Sequence, residues 1–594
     1  MPAALTLHGT PDAPSGDAPG RAARWAGVLL FATALGALAL VRDEAFLRTK
    51  VVAGETWLLG AASVLLGVFA VAGRARLPAP HVLGCAFLPA AVAGAWFLIG
   101  KSESRTLALD ELERLILLPV ALATGALAGG EARARRLLLA TLILTAIPVT
   151  AQAVAQHLAA LLDLPMARVE RPAATFGNPV FLGAWLVLVT PLALAGALLG
   201  RGVLRWGGAV AAGLALPALY ATQTRWAWLG FGGAAALGVL LLATSAAWRR
   251  ALLAAIVVAG GVLAVANLAV LQRASAHGLI WRDTWRLVAE HPLGVGPGQY
   301  PVAFLPYASP ELLAIYPRQL TIVNDAHSEP LQVLAELGWP GLLAAALALL
   351  VLGRAALRAQ RTAAPEERAL AAGLLAGLAG MLLMSCGSPD ERFFASPMLF
   401  GSCAGLLLAM GPARSVQPGA PARALLALSA AALAGLAWRT AAEGLEVREL
   451  LSAPPSLAAA PDGSAEIARL WARVEAAPLD AAARFDLGVA LAGERRWVES
   501  ADALQAASRL AGDTAGLQRT LGLVQAMAGR TDEAVPNLQA ALAQRPDDGE
   551  VRYMLAYIAF SRGDVATALQ DVETLLAQHP DHALGKLLER KLRE

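Results

Sequence analysis

Residues 323–341, VNDAHSEPLQVLAELGWPG, place one histidine among acids and amides directly before an apolar segment. Asn324, Asp325 or Ser328 is of a type that caps a helix beginning there. His327 then lies at or just before a helix amino terminus, where the positive end of the helix dipole disfavours a protonated ring. Because a neutral imidazole can accept a proton, His327 is a candidate general base.

The acids around this histidine have two interpretations. Asp325 or Glu329 could orient the imidazole ring, and Asn324 could bind a substrate beside it. Alternatively, the polar residues form a capping cluster without a catalytic role. We predict that His327 is catalytic and that Asn324, Asp325 and Glu329 contribute to substrate binding.

A second stretch, WRDTWRLVAEHPLGVGPGQY at residues 281–300, contains two arginines. Arg282 and Arg286 are four apart, so they share one face of a helix. Guanidinium groups present forked donors that fit phosphate oxygens. The alternative is an amphipathic interfacial helix anchored by its tryptophans. The glycines at 294, 296 and 298 predict a flexible turn, and no strand–turn–helix unit surrounds them to support dinucleotide binding.

Two further arginines stand beside apolar helices. Arg225, in TQTRWAWLG, precedes twenty residues without a charge. Arg171 begins RPAATFGNPVFLG in the same way. Charges at membrane depth are costly and are retained for function, although an arginine at a helix end can also extend its side chain to the interface. We predict a catalytic role for Arg225 and Arg282 and a substrate-binding role for Arg171 and Arg286.

The elements that must position these residues are membrane helices. The chain has 594 residues, of which 57% are hydrophobic and 16% charged, against about 25% charged in soluble domains. Apolar runs long enough to span a bilayer recur. Thirteen spans are predicted near 23–41, 55–73, 82–100, 113–130, 135–158, 179–199, 206–222, 226–245, 251–271, 331–353, 368–386, 394–411 and 422–438.

The distribution of basic residues predicts the orientation of these spans. Arginines concentrate in alternate short loops, and such loops stay in the cytoplasm. Residues 1–20 then form a disordered cytoplasmic tail, while the long loop 272–330 and everything after residue 440 lie outside. In a bacterial inner membrane, the outside is the periplasm.

A repeat of 34 residues marks the end of the chain. The positions in register include Pro478, Gly512, Pro546 and Pro580, and also Leu487, Leu521 and Leu555. Small residues recur with the same step, which lets paired helices approach closely. This pattern resembles the tetratricopeptide repeat (TPR), whose arrays bind peptides or proteins. The predicted fold class is therefore all-α: a polytopic membrane helical bundle of about twelve to thirteen spans, followed by a soluble α-helical TPR solenoid.

Four segments in this order resemble the O-antigen ligase and O-antigen polymerase superfamily of bacterial membrane glycosyltransferases. They are TFGNPVFLGAWL, the segment TQTRWAWLGF, the tryptophan–arginine segment ending in HPLGVGPGQY, and NDAHSEPLQVLAELGWPGL. The resemblance covers about residues 20–411. The predicted domains are a membrane domain at 21–440, similar to C-type glycosyltransferases, and a periplasmic TPR domain at 441–594.

The resemblance implies transfer of a glycan from undecaprenyl diphosphate on the periplasmic face. By motif, Arg225 and Arg282 match the arginines that bind the donor diphosphate, and His327 matches the loop histidine that assists the acceptor. Arg171 is a weaker match. The acceptor hydroxyl belongs to lipid A core, to another glycan or to a protein.

Such chemistry implies an inverting enzyme that needs no metal or other cofactor, because a diphosphate is already a good leaving group. The expected partners are the lipid-linked donor, the acceptor, membrane lipids and a protein at the repeats, but no nucleic acid. A repeat-unit polymerase and a protein O-oligosaccharyltransferase are the alternative enzymes. A transporter or a scaffold is the non-enzymatic alternative. A transporter would favour ionisable residues at mid-membrane and internal symmetry of its helices, which the sequence does not show clearly. A scaffold would not need arginines and a histidine on one face.

Overall fold

The computed structural model describes most of the chain, and the helices, strands and contacts of the protein are those of that part. The described ranges are 18–42, 49–73, 75–102, 105–161, 171–268, 276–315, 323–388, 395–452, 465–476, 481–511 and 515–593. The predicted tail lies outside them up to residue 17. Pro478 and Gly512 of the repeat, and parts of the predicted outer loop, also lie outside the described residues.

The first part of the chain is a bundle of helices. Its helices are α1 (Ala18–Leu40), α2 (Thr49–Ala72), α3 (Pro80–Cys85), α4 (Leu88–Leu98), α5 (Arg105–Ala128), α6 (Ala132–Leu161), α7 (Pro179–Leu199), α8 (Val203–Ala221), α9 (Arg225–Leu242) and α10 (Ala246–Ala266). Three short helices follow: α11 (His277–Glu290), α12 (Tyr300–Ala303) and α13 (Pro310–Ile315). The bundle ends with α14 (Glu329–Thr362), α15 (Arg368–Ser385), α16 (Ala395–Ala409) and α17 (Ala420–Ser452).

Every one of the thirteen predicted spans overlaps a helix or, at 82–100, a pair of helices. By length and composition, ten described helices can cross a membrane, and Leu88–Leu98 and Ala395–Ala409 are shorter apolar helices. α5 differs because Glu111, Glu113 and Arg114 lie in its first half. The last helix of the bundle runs to Ser452, past the predicted domain boundary at residue 440.

The centre of the bundle contains α7 and α15, most of whose residues are buried. Small residues allow their close approach, since a Cβ added to Gly377 would lie 2.2 Å from the carbonyl oxygen of Leu188. α10, by contrast, has no buried residue, and after Arg249 and Arg250 it presents an apolar surface on all sides. An all-round apolar helix of this kind is covered by lipid in a membrane.

The all-α prediction has one small exception. Ala75–Leu77 and Arg414–Val416 form a two-stranded antiparallel pair, with Ala75 opposite Val416 and Leu77 opposite Arg414. The pair joins the loops after α2 and α16, which contact each other at one end of the bundle. Strands of three residues are too short to show the alternating pattern from which a strand is predicted.

The carboxyl-terminal part consists of paired helices. They are α18 (Ala465–Ala476), α19 (Ala481–Gly493), α20 (Trp497–Ala511), α21 (Ala515–Met527), α22 (Thr531–Gln544), α23 (Gly549–Ser561), α24 (Val565–Gln578) and α25 (Ala583–Arg593). Pro546 and Pro580 follow the second helix of their pairs, as the repeat predicts. A Cβ on Gly488 would lie 2.6 Å from Leu504, so the small residue is required by the neighbouring helix.

Candidate active site

His327 and Asp325 form a turn directly before α14. The Asp325 oxygen Oδ1 accepts a hydrogen bond of 2.8 Å from the His327 backbone N–H and lies 3.4 Å from the ring nitrogen Nδ1. The His327 backbone has a φ of +49°, a left-handed conformation that the surrounding contacts must hold. Ser328 is at the cap position, but its side chain makes no cap hydrogen bond. Of the two predicted carboxylates, Asp325 is the one that faces the ring.

Glu329 has a different partner. Its Oε1 atom lies 3.2 Å from Nη2 of Arg114, which also forms two hydrogen bonds of 2.5 and 3.0 Å to Glu111. Arg114 and Glu111 are almost fully buried, with side-chain exposures of 5% and 7%. This cluster joins α5 to the first turn of α14. It therefore fixes the helix whose amino terminus carries His327.

A second histidine lies against His327. The rings of His277 and His327 are stacked, with centroids 4.4 Å apart and planes inclined by 13°. Burial, the neighbouring His327 and the Arg225 guanidinium lower the pKa of His277 from 6.5 to about 4, although Asp325 opposes this shift. His277, on α11, therefore interacts electrostatically with both Arg225 of α9 and the turn that contains His327.

Two tryptophans continue the row of rings away from His327. Trp281 lies one helical turn after His277, with centroids 6.4 Å apart, and Trp226 lies 6.4 Å from Trp281. Trp226 directly follows Arg225 on α9. A Cβ on Gly387 would lie 1.9 Å from the Trp226 indole, so position 387, two residues after α15, must be glycine for Trp226 to keep this position.

Arg171 contacts the turn that precedes Arg225. Its Nε donates to the Thr222 carbonyl oxygen at 2.7 Å, and its Nη2 donates to the Thr224 hydroxyl at 2.9 Å. Between these threonines, Gln223 has a φ of +49°. Arg171 thus stabilises a strained turn from which α9 begins and from which Arg225 extends.

Arg282 and Arg286 flank a buried carboxylate on α11. Arg282 lies 3.0 Å from Asp283 and 3.2 Å from Glu311, and Arg286 lies 3.5 Å from Asp283. Burial alone would raise the pKa of Asp283, but hydrogen bonds from Ser309 and Arg282 hold it below its ordinary value. Both guanidinium groups are exposed. In the described part of the chain, the ion pairs of Arg282 are with these two carboxylates and not with the turn of His327.

The glycine-rich segment after α11 is packed rather than flexible. α14 is broken at Gly338, which has φ +66° and ψ −166° and is followed by Pro340. The backbone groups freed by the break are bonded by the segment: Val295 N–H to Ala335 O at 2.9 Å, Gly296 N–H to Glu336 O at 2.9 Å, and Trp339 N–H to Pro292 O at 3.1 Å. A Cβ on Gly294 would lie 2.3 Å from the Glu336 carbonyl oxygen, so glycine is needed for this approach.

Glu336 and Gln332 secure the same segment from inside α14. The Glu336 carboxylate accepts the Gly298 N–H at 3.0 Å, the Tyr300 N–H at 3.3 Å and the Gln332 amide at 2.8 Å. Gln332 in turn accepts the Ala326 N–H at 2.7 Å. Glu336 is 1% exposed. One buried chain of hydrogen bonds therefore runs from the glycine segment to the residue before His327.

An apolar groove of about 270 Å³ opens beside this turn. It lies between α11 and the start of α14, and its lining is mostly tryptophan and leucine: Trp281, Trp285, Trp339, Leu331, Leu334 and Leu342. Ser328, the neighbour of His327, also lines it. The groove can hold a hydrocarbon chain next to the polar residues.

The four stretches singled out in the sequence are thus in contact. Arg171 reaches the turn before Arg225, Trp226 reaches α11, and α11 carries the ring that stacks on His327. Asn324 is exposed beside them. Among the described residues, no three His, Cys, Asp or Glu side chains are grouped to hold a metal ion.

Two family models match segments of the chain. Residues 210–346 match the model described as O-Antigen ligase, and residues 525–592 match the Tetratricopeptide repeat. The matches confirm the predicted resemblance. The first match indicates a membrane protein of the O-antigen ligase or polymerase type. It contains Arg225, His277, Arg282 and His327, whereas Arg171 lies before it.

Comparisons with individual proteins add little. The search of curated proteins found no match. Among solved structures, the crystal structure of the APC/C hetero-tetramer Cut9-Hcn1 matches with 13% identity over 91% of this chain and 86% of that chain. Its TM-score is 0.23, so the likeness carries no argument.

Two parts of the site were missed in the sequence. His277 is four residues before Trp281, so extending the predicted α11 helix by one turn would have placed both rings on one face. Glu111 and Arg114 begin an apolar helix in the sequence DELERLILL, and charged residues in such a position indicate a buried pair or a functional site.

Proposed function

We propose that the chain transfers a glycan from a polyprenyl diphosphate, such as undecaprenyl diphosphate, to an acceptor hydroxyl. The observation that carries the proposal is the position of His277, which stacks on the imidazole of His327 and lies within the field of the Arg225 guanidinium. A cation for the donor and a base for the acceptor thus meet around one ring. The O-antigen ligase match over the same residues supports this assignment.

The donor diphosphate is assigned to the arginines. A diphosphate departs with its bonding electron pair, and preorganised guanidinium groups stabilise the charge that develops on its oxygens. Arg225 supplies this charge from the start of α9. Arg282 and Arg286 are exposed on α11 beside the carboxylates of Asp283 and Glu311, which a diphosphate would have to replace as their partners.

The acceptor is assigned to His327. Asp325 faces Nδ1 of the ring, so Nε2 is the nitrogen that takes the proton. The acceptor oxygen forms a bond to the anomeric carbon, the bond from that carbon to the diphosphate oxygen breaks, and the acceptor proton passes to His327. Attack from the side opposite the diphosphate inverts the anomeric centre. The step asks for no metal and no other cofactor.

The apolar groove supports a lipid-linked donor rather than a soluble sugar nucleotide. Its tryptophan and leucine lining opens next to Ser328, so a hydrocarbon chain in the groove would place its diphosphate near the turn of His327. Tryptophans at such a boundary suit a membrane interface.

The proposed location is the bacterial inner membrane, with the site and the TPR domain in the periplasm. Arginine-rich loops on the opposite side support this orientation. Glu311 and Val498 have exposed side chains, at 64% and 52%. Cysteines introduced at these positions in a cysteine-free chain should react with an impermeant maleimide added to spheroplasts. Reaction only after the cells are opened would contradict the orientation.

The transfer itself is tested with the full chain in nanodiscs and a fluorescent glycan on undecaprenyl diphosphate. We expect transfer by the natural chain and its loss, by at least a hundredfold, in His327→Ala and Arg225→Ala.

Glycan analysis of a deletion strain identifies the acceptor. Loss of long chains from lipid A core indicates a ligase, uncapped single units indicate a polymerase, and loss of glycoprotein indicates a protein transferase. Unchanged glycans in the strain and no transfer in nanodiscs would refute the proposal.

A further inference from the structure

We propose that His277 is a positioning residue whose uncharged ring serves as a platform for the imidazolium that His327 becomes when it accepts the acceptor proton. This inference rests on the proposed function, which it deepens by assigning a role to a ring outside the predicted site. It is carried by the stacking geometry of the two histidines and by the elements that this stacking joins.

The geometry restricts His327 from two directions. Asp325 lies at the Nδ1 edge, at 3.4 Å, and His277 covers one face with its centroid 4.4 Å away. The stack leaves the opposite face and the Nε2 edge for an acceptor. An imidazole held at one edge and one face cannot rotate about its χ2 bond without losing both contacts, so the base is preorganised.

The charges around the pair determine which ring takes the proton. Two imidazolium rings at 4.4 Å would repel each other, so one ring of the pair must stay neutral. The groups that face His277 are Arg225 on α9, Asp325 and His327 in the turn, and the amino terminus of its own helix α11. The positive end of a helix dipole lies at both rings and does not distinguish them. Arg225 disfavours a charge on His277, whereas the Asp325 carboxylate lies 3.4 Å from the His327 ring. The proton therefore goes to His327, and the neutral ring beneath it attracts the cation through its π face.

The platform also joins the two halves of the site. His277 is backed by Trp281, and Trp281 contacts Trp226, which is adjacent to Arg225 in the sequence. The row of rings connects the helix that carries the donor arginine to the turn that carries the base. The distance between donor and acceptor sites is thereby set by packed rings instead of by a flexible loop.

The kinetic test compares His277→Phe, which keeps a flat ring without nitrogens, with His277→Ala, which removes the ring. Both are assayed in nanodiscs with the fluorescent donor, across the pH range of activity. We expect His277→Phe to keep kcat within about threefold and His277→Ala to lose on the order of tenfold, the size of one ring contact. The donor KM should stay within twofold in both variants. Equal losses in the two variants would show that a ring nitrogen is needed and would overturn the platform; an unchanged kcat in His277→Ala would overturn it as well.

A second measurement does not depend on activity. Arg282 and Arg318 separate the two histidines into different tryptic peptides, so modification by diethyl pyrocarbonate can be followed by mass spectrometry at each position. Stacking predicts that His277 reacts several-fold faster in His327→Ala than in the natural chain, and that His327 does so in His277→Ala. Unchanged rates at both positions would refute the stacking even if transfer is observed. Mutual protection without any transfer would instead refute the proposed function and leave the contact established.

Discussion

The Glu329 carboxylate pairs with the Arg114 guanidinium at 3.2 Å, while Asp325 lies at 3.4 Å from the His327 ring. Two acids that are equivalent candidates in the sequence therefore have separate tasks. In the proposed mechanism Asp325 orients the base, whereas Glu329 joins the start of α14 to α5. The difference arises because Arg114 is buried near the helix start and takes the carboxylate that points into the bundle.

Replacing Asp325 should affect the base rather than the fold. Asp325→Asn keeps an oxygen for the His327 N–H but removes the negative charge beside Nδ1, which stabilises the imidazolium. We expect kcat to fall by about ten- to a hundredfold, with the thermal unfolding midpoint unchanged. Glu329→Gln is the matched control and should give the reverse pattern, a lower midpoint with a smaller loss of kcat. A larger loss of kcat in Glu329→Gln than in Asp325→Asn would contradict this assignment of the two acids.

The buried Arg114 should be essential for stability. Removing one partner of a buried ion pair leaves the other charge uncompensated and costs about 3–5 kcal/mol. Arg114→Met should therefore abolish folded expression or lower the unfolding midpoint strongly, as judged by fluorescence-detected size-exclusion chromatography. Arg133→Met, at an exposed position of α6, is the control and should be close to the natural chain. Normal stability of Arg114→Met would mean that the cluster does not hold the bundle.

In the glycine-rich segment after α11, replacing a glycine by alanine should disrupt the fold where the backbone of another segment lies close to it. Gly298 has a φ of +71°, and a Cβ there would lie 2.2 Å from the Leu107 carbonyl oxygen. We expect Gly298→Ala to lose most of its folded protein and its transfer activity. Gly278→Ala is the control, because nothing lies within 4 Å of its added Cβ and it is within α11. Equal behaviour of the two variants would contradict the close packing of this segment.

The sequence predicted the helices, and it singled out residues that the structure brings together, because both depend on local patterns. Apolar runs give the spans, and the 34-residue period gives the paired helices of the tail. The residues at the mouths of apolar helices, such as Arg225 and His327, stand out since charge is costly there. These signals need no knowledge of how distant segments pack.

What the sequence could not give depends on tertiary contacts. The packing of the glycine segment into the break at Gly338 needs the three-dimensional position of α14, so the segment was predicted to be flexible. The stack of His277 on His327 joins residues fifty positions apart, and nothing local marks it. The different partners of Asp325 and Glu329 depend on Arg114, which belongs to a helix distant in the sequence.

The pairing of Arg282 with Glu311 predicts a competition with the donor. Glu311 is 64% exposed and bonded to the guanidinium that is proposed to bind a diphosphate, and exposed pairs of this kind are worth no more than about 1 kcal/mol. Glu311→Gln should therefore lower the donor KM by two- to fivefold, with kcat unchanged. The effect should shrink as salt is raised. A higher KM in Glu311→Gln would show that the carboxylate helps to hold Arg282 for the donor.

Arg225 should require its forked geometry. A lysine retains the charge but offers a compact ammonium in place of the planar donors, so we expect Arg225→Lys to lose at least tenfold in kcat/KM for the donor. Arg171→Lys is the comparison, because Arg171 contacts the Thr222 carbonyl and the Thr224 hydroxyl and stabilises the turn before α9. Arg171→Lys should lower the thermal unfolding midpoint clearly and reduce the transfer rate only slightly. Full activity of Arg225→Lys would show that the donor diphosphate does not need two hydrogen bonds from the Arg225 guanidinium.

The lowered pKa of His277 predicts that acid destabilises the fold. The folded chain keeps this ring neutral down to about pH 4, whereas its ordinary pKa is 6.5. Between these values the unfolded chain binds a proton at this position that the folded chain does not. His277 therefore makes the free energy of unfolding fall as pH drops from about 6.5 to 4 and has no effect on it above that range. Thermal unfolding in detergent should show this slope in the natural chain, and His277→Phe should have a smaller one, since phenylalanine does not titrate. An identical slope in both proteins would mean that the ring takes up its proton equally well in the folded state, which the burial and the Arg225 charge do not allow.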